Sequence, residues 1–245
     1  MNILVRLFTL LFLLVASIVF IRLSIDNRDL RSQIDQLEAE LGRMPINNED
    51  RVYFAEIESP NVPPEVASHI ERIWQFRCYF PPGYDVIRIN GGGRIAKEGV
   101  YHSGGSSSGW NSPRQEATHK LFTVSIQRKA NQWQAFYSVD GSSGTTSWSS
   151  FDADHFDAAL VIEKIVSSKQ GPRSFDQNTI LPLLRIYDPR SAEDKEVAGK
   201  TMATYVGGLF VLCPKTLESE FGQLSRGETP TGFESDRIAT VASDE

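Results

Sequence analysis

The chain has 245 residues, 40% of them hydrophobic, with 31 Asp+Glu against 25 Lys+Arg. A net charge of −6 supplies no general electrostatic reason to bind nucleic acid, an affinity that rests on neutralised phosphates. Two Cys and four His exclude a disulfide-dense scaffold and a four-thiolate zinc site, and leave little material for a His-based metal centre.

The strongest signal comes first in the chain. From Leu7 to Ile21 runs LFTLLFLLVASIVFI, fifteen residues without a charge. Extending to Ile3 and Leu23 gives 21 residues, interrupted only by Arg6 and Arg22 near the ends. At the α-helical rise that length measures about 31 Å, enough for a hydrocarbon core of about 30 Å, and the two arginines can snorkel to the headgroups. Residues 1–23 therefore predict an uncleaved transmembrane signal-anchor, meeting the lipid bilayer through residues 3–23. The alternative is a cleaved signal peptide with Val15-Ala16-Ser17 as its cleavage site. Against it, Ile18-Val19-Phe20-Ile21 continues the apolar run, and a heptad pattern follows without a helix breaker.

Orientation draws on two opposed arguments. Arg22, Arg28 and Arg31 follow the span closely and by simple count favour a cytoplasmic C-terminal side. A short positive tail before an apolar stretch, however, is how a signal-anchor begins, and long domains translocate largely regardless of charge. The expectation is a single-pass protein of the cell membrane with its N-terminus cytoplasmic and its C-terminal domain outside the cytoplasm.

Residues 24–44 read as a coiled-coil stalk. Leu30, Ile34, Leu37, Leu41 and Met44 are spaced 4, 3, 4, 3, the a/d seam of a coiled coil. With Leu30 at d, Asn27 takes an a position, where a polar residue fixes register and oligomer state. Asp26 at g would face Arg31 at e of a parallel partner. Tethering copies in a bilayer raises their effective concentration, so residues 23–44 predict a homo- or hetero-oligomer. The same pattern also describes an amphipathic helix packed on its own domain. A short tail, single span and immediate heptads over residues 1–45 resemble the bitopic division proteins of the FtsL, FtsB and DivIC type. That resemblance is one of architecture, and here 200 further residues follow.

Residues 45–50 form a polar linker, and residues 51–213 predict a mainly β domain. Arg51–Glu58 reads as a strand, and Ser59–Pro64 as a turn-rich break. Along Ile70–Phe80, Trp74, Phe76, Cys78 and Phe80 fall on one face, and Pro81-Pro82-Gly83 ends the run. Asp85–Asn90 starts another strand before Gly91-Gly92-Gly93. The clearest hairpin joins Leu121–Arg128 to Trp133–Val139, with Phe122, Val124 and Ile126 matching Trp133, Ala135, Tyr137 and Val139. Ala158–Val166 is ambiguous between strand and helix. Thr179–Tyr187 reads as an edge strand because of Pro182. Ala192–Lys200 suggests a short helix, and Tyr205–Cys213 an apolar segment packing back onto the sheet. Residues 214–245 lack the apolar material to offset ordering entropy and predict a disordered acidic tail. Repeated short strands with Gly/Pro/Ser turns indicate an antiparallel β-sandwich or jelly-roll-like domain.

Within this domain Arg72-x-Trp74-x-Phe76-Arg77-x-Tyr79-x-Pro81-x-Gly83 resembles a segment of uncharacterised membrane-anchored proteins of planctomycete bacteria. The resemblance implies a bacterial origin and carries no activity.

Candidate chemistry is sparse. Gly105-Ser106-Ser107-Ser108-Gly109 matches the G-x-S-x-G nucleophile elbow, which needs a strand entering the serine and a helix leaving it. Its setting in a Ser/Gly run, with Pro113 close behind, reads instead as a flexible loop. Asp152-Ala153-Asp154-His155-Phe156-Asp157 places carboxylates at alternate positions, yet the further ligands of a calcium loop are absent in register. His69, His102, His119 and His155 show no metal-ligand spacing. Trp110 and Trp148 stand in Ser/Gly-rich stretches and either cap the β core or form a ligand platform. Cys78 and Cys213 read as two buried thiols, with a disulfide as the alternative. No catalytic, cofactor-binding or metal residue is assigned. The expected function is presentation of a β domain for binding or scaffolding, with a membrane-anchored hydrolase lacking a local catalytic motif as the alternative.

Overall fold

The computed structural model describes residues 44–58, 70–129, 132–139, 142–148 and 160–243, together with isolated positions between 13 and 67. The chain divides into two compact units, Met1–Met44 and Pro45–Glu245. The predicted span and stalk lie outside the described residues apart from isolated positions, as does the Asp152–Asp157 cluster. Among the described residues no helix is long and apolar enough to cross a membrane.

The second unit is mainly β and holds two antiparallel sheets, consistent with a β-sandwich. The first sheet uses β1 (Val52–Ile57), β2 (Arg72–Phe80), β5 (Thr118–Lys129), β6 (Gln132–Val139), β7 (Ser142–Trp148) and β9 (Arg173–Phe175). Their spatial order is β7-β6-β5-β2-β1-β9. The second uses β3 (Val86–Ala96), β4 (Ser106–Asn111), β8 (Val161–Lys164), β10 (Leu181–Tyr187), β12 (Lys200–Pro214) and β13 (Ala242–Ser243). Here the order is β13-β8-β10-β12-β3-β4, with β11 (Glu193–Val197) pairing β12.

Alternation in sequence becomes two faces in space. The predicted apolar set of β2, Trp74 to Phe80, points between the sheets with Phe122, Val124 and Ile126 of β5 and Trp133, Ala135 and Val139 of β6. Leu184, Ile186, Phe210 and Leu212 meet them from the second sheet. That second sheet is covered on its other face as well. Ile87, Ile89, Leu209, Val211 and Cys213 pack there against Leu217, and against Phe221 on α1 (Glu218–Ser225).

Several sequence expectations change in this setting. β10, expected at an edge, is a central strand between β8 and β12 and is buried throughout. Its ladder shifts register between Pro182 and Leu184, so the irregularity absorbs the amide that proline lacks. Residues expected as a short helix instead form β11, which returns into β12 through Ala198 (φ 49°) and Gly199 (φ 76°). Positive φ at both positions is the signature of a tight hairpin turn. Tyr205–Cys213 is not an appended segment but the middle of β12, a strand of 15 residues paired on both sides. Where the sequence predicts a disordered tail, residues 215–243 carry α1, short 3-10 turns and β13, and they bury Leu217 and Phe221. Those few apolar groups suffice because the second sheet supplies a waiting apolar face.

β3 also runs past its predicted end, straight through Gly91-Gly92-Gly93. At Gly93 φ is +100°, and a Cβ there would lie 2.7 Å from the backbone nitrogen of Gly104. Glycine is required at that position by both conformation and space.

Candidate functional site

The two sheets meet differently at their two lateral rims. On one rim Glu56 of β1 accepts hydrogen bonds from Lys164 Nζ of β8 at 2.8 Å and from the Ser168 amide at 2.9 Å. The opposite rim is bordered by β4 and β7, which end their sheets. Apart from one tryptophan each, Trp110 and Trp148, both strands consist of Gly and small polar residues, SSSGWN and SSGTTSW. Ser106, Ser107 and Ser108, and likewise Ser142 and Ser143, are exposed.

Behind this rim lies an unusual pair. Arg88 and Asn90 share the inner face of β3 with Val86, which belongs to the inter-sheet core. Arg88 is 9% exposed and Asn90 4%. Arg88 Nη2 donates to Ser142 Oγ of the other sheet at 3.1 Å. Neither Oδ1 nor Nδ2 of Asn90 has a hydrogen-bond partner among the described residues. A dry amide in that state costs about 1–3 kcal/mol relative to a satisfied one.

The surroundings of Asn90 follow from strand register. It stands opposite Phe210 of β12 on one side and Ser107 of β4 on the other. The Tyr137 ring of β6 packs edge-on against Phe210, with centroids 6.1 Å apart. Glycines on the two border strands make room for the larger side chains. A Cβ at Gly109 would lie 3.0 Å from Arg88 Nη2, and one at Gly144 would lie 2.5 Å from Tyr137 Oη. The rim thus displays a row of serine hydroxyls, with a guanidinium and an amide buried behind them beside the Phe210 ring of the inter-sheet core.

Other polar groups serve the fold. On the far face of the second sheet Arg185 Nη1 donates to Glu163 Oε2 at 2.5 Å, and Tyr187 Oη donates to Glu163 Oε1 at 3.1 Å. Arg185 Nη2 donates to the Gly99 carbonyl at 2.7 Å and fastens that segment to the sheet. Burial, with the Glu163 carboxylate beside it, pushes the Tyr187 hydroxyl up to about 12. A groove of about 500 Å³ is lined by Asp176, Glu220, Glu234 and Asp236 together with Arg237. Among the described residues no three metal-ligating side chains converge.

The sequence candidates separate in space. Ser106, Ser107 and Ser108 lie inside β4, a continuous strand paired with β3 and followed by no helix. The run is therefore neither the predicted loop nor a nucleophile elbow. Trp110 is 58% exposed on the face of β4 opposite to Ser107, and its Nε1 donates to Asp85 Oδ1 at 2.6 Å. His102 packs its ring on Gly91, with Nδ1 donating to the Val100 carbonyl at 3.2 Å. His119 stacks edge-on with Tyr79, centroids 5.3 Å apart. His69 and His155 lie outside the described residues. Cys78 and Cys213 are both buried free thiols, on opposite sides of the second sheet.

Arg88 and Asn90 escaped sequence reasoning. Val-Ile-Arg-Ile-Asn alternates like a strand with one wet face, and nothing local says that both faces are covered. Compared with family models, curated proteins and solved structures, the chain matches none.

Proposed function

We propose that this chain is a single-pass membrane protein whose stalk associates with a second helix and whose sandwich, jelly-roll-like in its outline, binds or scaffolds a partner. In this reading residues 3–23 hold it in the cell membrane, residues 23–44 oligomerise, and the β domain stands outside the cytoplasm. The observation that carries the reading is the contrast between a filled inter-sheet core and one polar rim of exposed serines on terminal strands. Unpaired strand borders recognise other molecules through main-chain and small polar groups, whereas a hydrolase needs a nucleophile beside a base and donors aimed at one reacting atom. The one local motif suggesting such a nucleophile is absorbed into the β3–β4 ladder.

The test uses the full chain in intact cells, with a photo-crosslinking amino acid at Ser107, Ser143 or, as a control, exposed Lys195. Adducts to another cell component at the first two positions, and none at Lys195, are expected. Absence of adducts at both rim positions overturns the reading.

A further inference from the structure

We propose that the outer face of the first sheet docks a second copy of this chain, face to face across β2, β5 and β6. This deepens the reading above, on whose stalk it rests for the second copy, and it uses a surface distinct from the β4–β7 rim.

Charge marks the face out. Side chains alternate across a sheet, so the residues between the core-facing positions of β1, β2, β5 and β6 point outward. Over 53–57, 73–79, 119–127 and 134–138 those outward positions hold, among the described residues, no Asp or Glu, and Arg77 is their one Lys or Arg. The chain as a whole carries 31 Asp+Glu and a net charge of −6. Two such copies repel, and they approach at least cost where each turns a carboxylate-free surface to the other.

The side chains suit such a contact. Among the described residues of the second unit, Trp110, Leu121 and Phe136 are the exposed large apolar groups, and the last two lie on this face. Phe136 is level with Ser125, and Ser125 with Ile73, so an apolar, small, apolar row crosses three strands. The amides around it are already paired in the plane of the sheet. Gln75 Nε2 donates to Thr123 Oγ1 at 3.1 Å, and Gln127 Nε2 to Gln134 Oε1 at 3.4 Å. Covering them strands fewer polar groups than covering free amides would. The outer face of the second sheet, by contrast, is already occupied by Leu217 and Phe221. At one end of the open face Tyr79 Oη donates to the Glu49 carbonyl, and Tyr53 Oη accepts from the Asn48 amide. The chain leading from residues 23–44 therefore joins the sandwich beside this face.

Four strands about 4.8 Å apart and about seven residues long give about 450 Å² per copy, near half of what a stable complex buries on each partner. The face therefore pairs where a tether holds two copies together. The test uses the full chain in the membranes of the cells that make it. p-Benzoylphenylalanine replaces Phe136 or, as a control, exposed Lys195, and a separate Leu37→Cys crosslink reports the stalk. Position 136 should give chain-to-chain adducts that mass spectrometry maps to β2, β5 or β6 of the second copy, and position 195 none. Leu121→Glu sets a carboxylate on the face of both copies and should lower the adduct yield about tenfold or more, without lowering the melting temperature. Gln134→Glu keeps the acceptor for Gln127 and should act alike, so it decides the matter if Leu121→Glu fails to fold. Stalk crosslinks without adducts at 136 overturn the proposal and keep the stalk. Adducts at 136 without stalk crosslinks keep the face and remove the stalk, and silence at both overturns the two together. Adducts equal at 136 and 195, indifferent to both substitutions, or formed only with other proteins or lipid also overturn the proposal.

Discussion

Glu56 and Lys164 face each other at 2.8 Å across the space between the two sheets, with side chains only 8% and 13% exposed. The Glu56 carboxylate also takes the amide hydrogen of Ser168, so one residue of β1 ties down β8 and the turn that follows. Removing it strips acceptors from two donors inside a partly dry gap. Glu56→Ala should cost about 3 kcal/mol, measured by urea unfolding. Glu56→Leu combined with Lys164→Met should recover most of that loss, because an apolar pair of similar volume avoids desolvating charge.

A second prediction concerns Gly93. Alanine there must adopt φ near +100° and push its Cβ to 2.7 Å from the Gly104 nitrogen. Backbone cannot swing aside as a side chain can. Gly93→Ala should destabilise by about 2 kcal/mol or more, whereas Gly83→Ala, where nothing lies within 4 Å, should cost less. Thermal melts of both variants test the difference.

His102 makes stability depend on pH. Burial holds its pKa below the usual 6.5, and the bond to the Val100 carbonyl only partly offsets this. The unfolded chain then binds more protons than the folded one between the depressed value and 6.5. Stability therefore falls as pH drops through that window, and this contribution is flat above it. His102→Gln should flatten the curve below pH 6.5 relative to the parent protein. Equal slopes for both proteins would show that the group does not contribute.

The thiols should remain free. Cys78 lies in the inter-sheet core, and Cys213 faces α1 beyond the second sheet. Burial raises both, with Cys213 reaching about 12 and Glu218 and Glu220 adding to the effect. Native protein at pH 8 should react slowly with a thiol reagent, since the thiolate is the reactive form. Denatured protein without reductant should titrate two thiols per chain. One or none would show oxidation that the fold does not explain.

The proposed anchor and stalk make the fifth prediction. Carbonate washing should leave the whole chain in the membrane pellet, because 21 mostly apolar residues do not leave a bilayer readily. A soluble product starting near Ile18 would identify a cleaved signal peptide. Crosslinking a Leu37→Cys variant in membranes should yield a dimer or small oligomer. Monomer at every expression level, with no heterologous adduct, would count against the stalk.

What the sequence disclosed was what each strand could decide alone. The alternation of Trp74, Phe76, Cys78 and Phe80 survives as the inner face of β2, and the β5–β6 hairpin keeps its predicted pairing. What stayed hidden depends on neighbours. SSSGWN becomes a strand because β3 offers it a ladder, and the β11 segment pairs because β12 turns back on it. Residues 215–243 order on an apolar face assembled from β3, β10 and β12. The same covering conceals the rim: Asn90 reads as an exposed strand residue until both faces of β3 are known to be occupied.

The length of β12 has a consequence for how this protein is made. Every partner it meets on β3 lies more than 100 residues earlier in the chain, from Thr204↔Ala96 to Pro214↔Val86. A ribosome must therefore deliver most of the domain before the second sheet can acquire its spine. Until then Ile87, Ile89 and the other apolar residues of β3 have no permanent neighbour on that side. Such distant pairing makes for slow maturation and a sticky nascent state. Production of this protein should thus be governed by the holding of an unfinished half-sandwich, so shortfalls in yield should track chaperone supply more closely than the melting point of the finished fold.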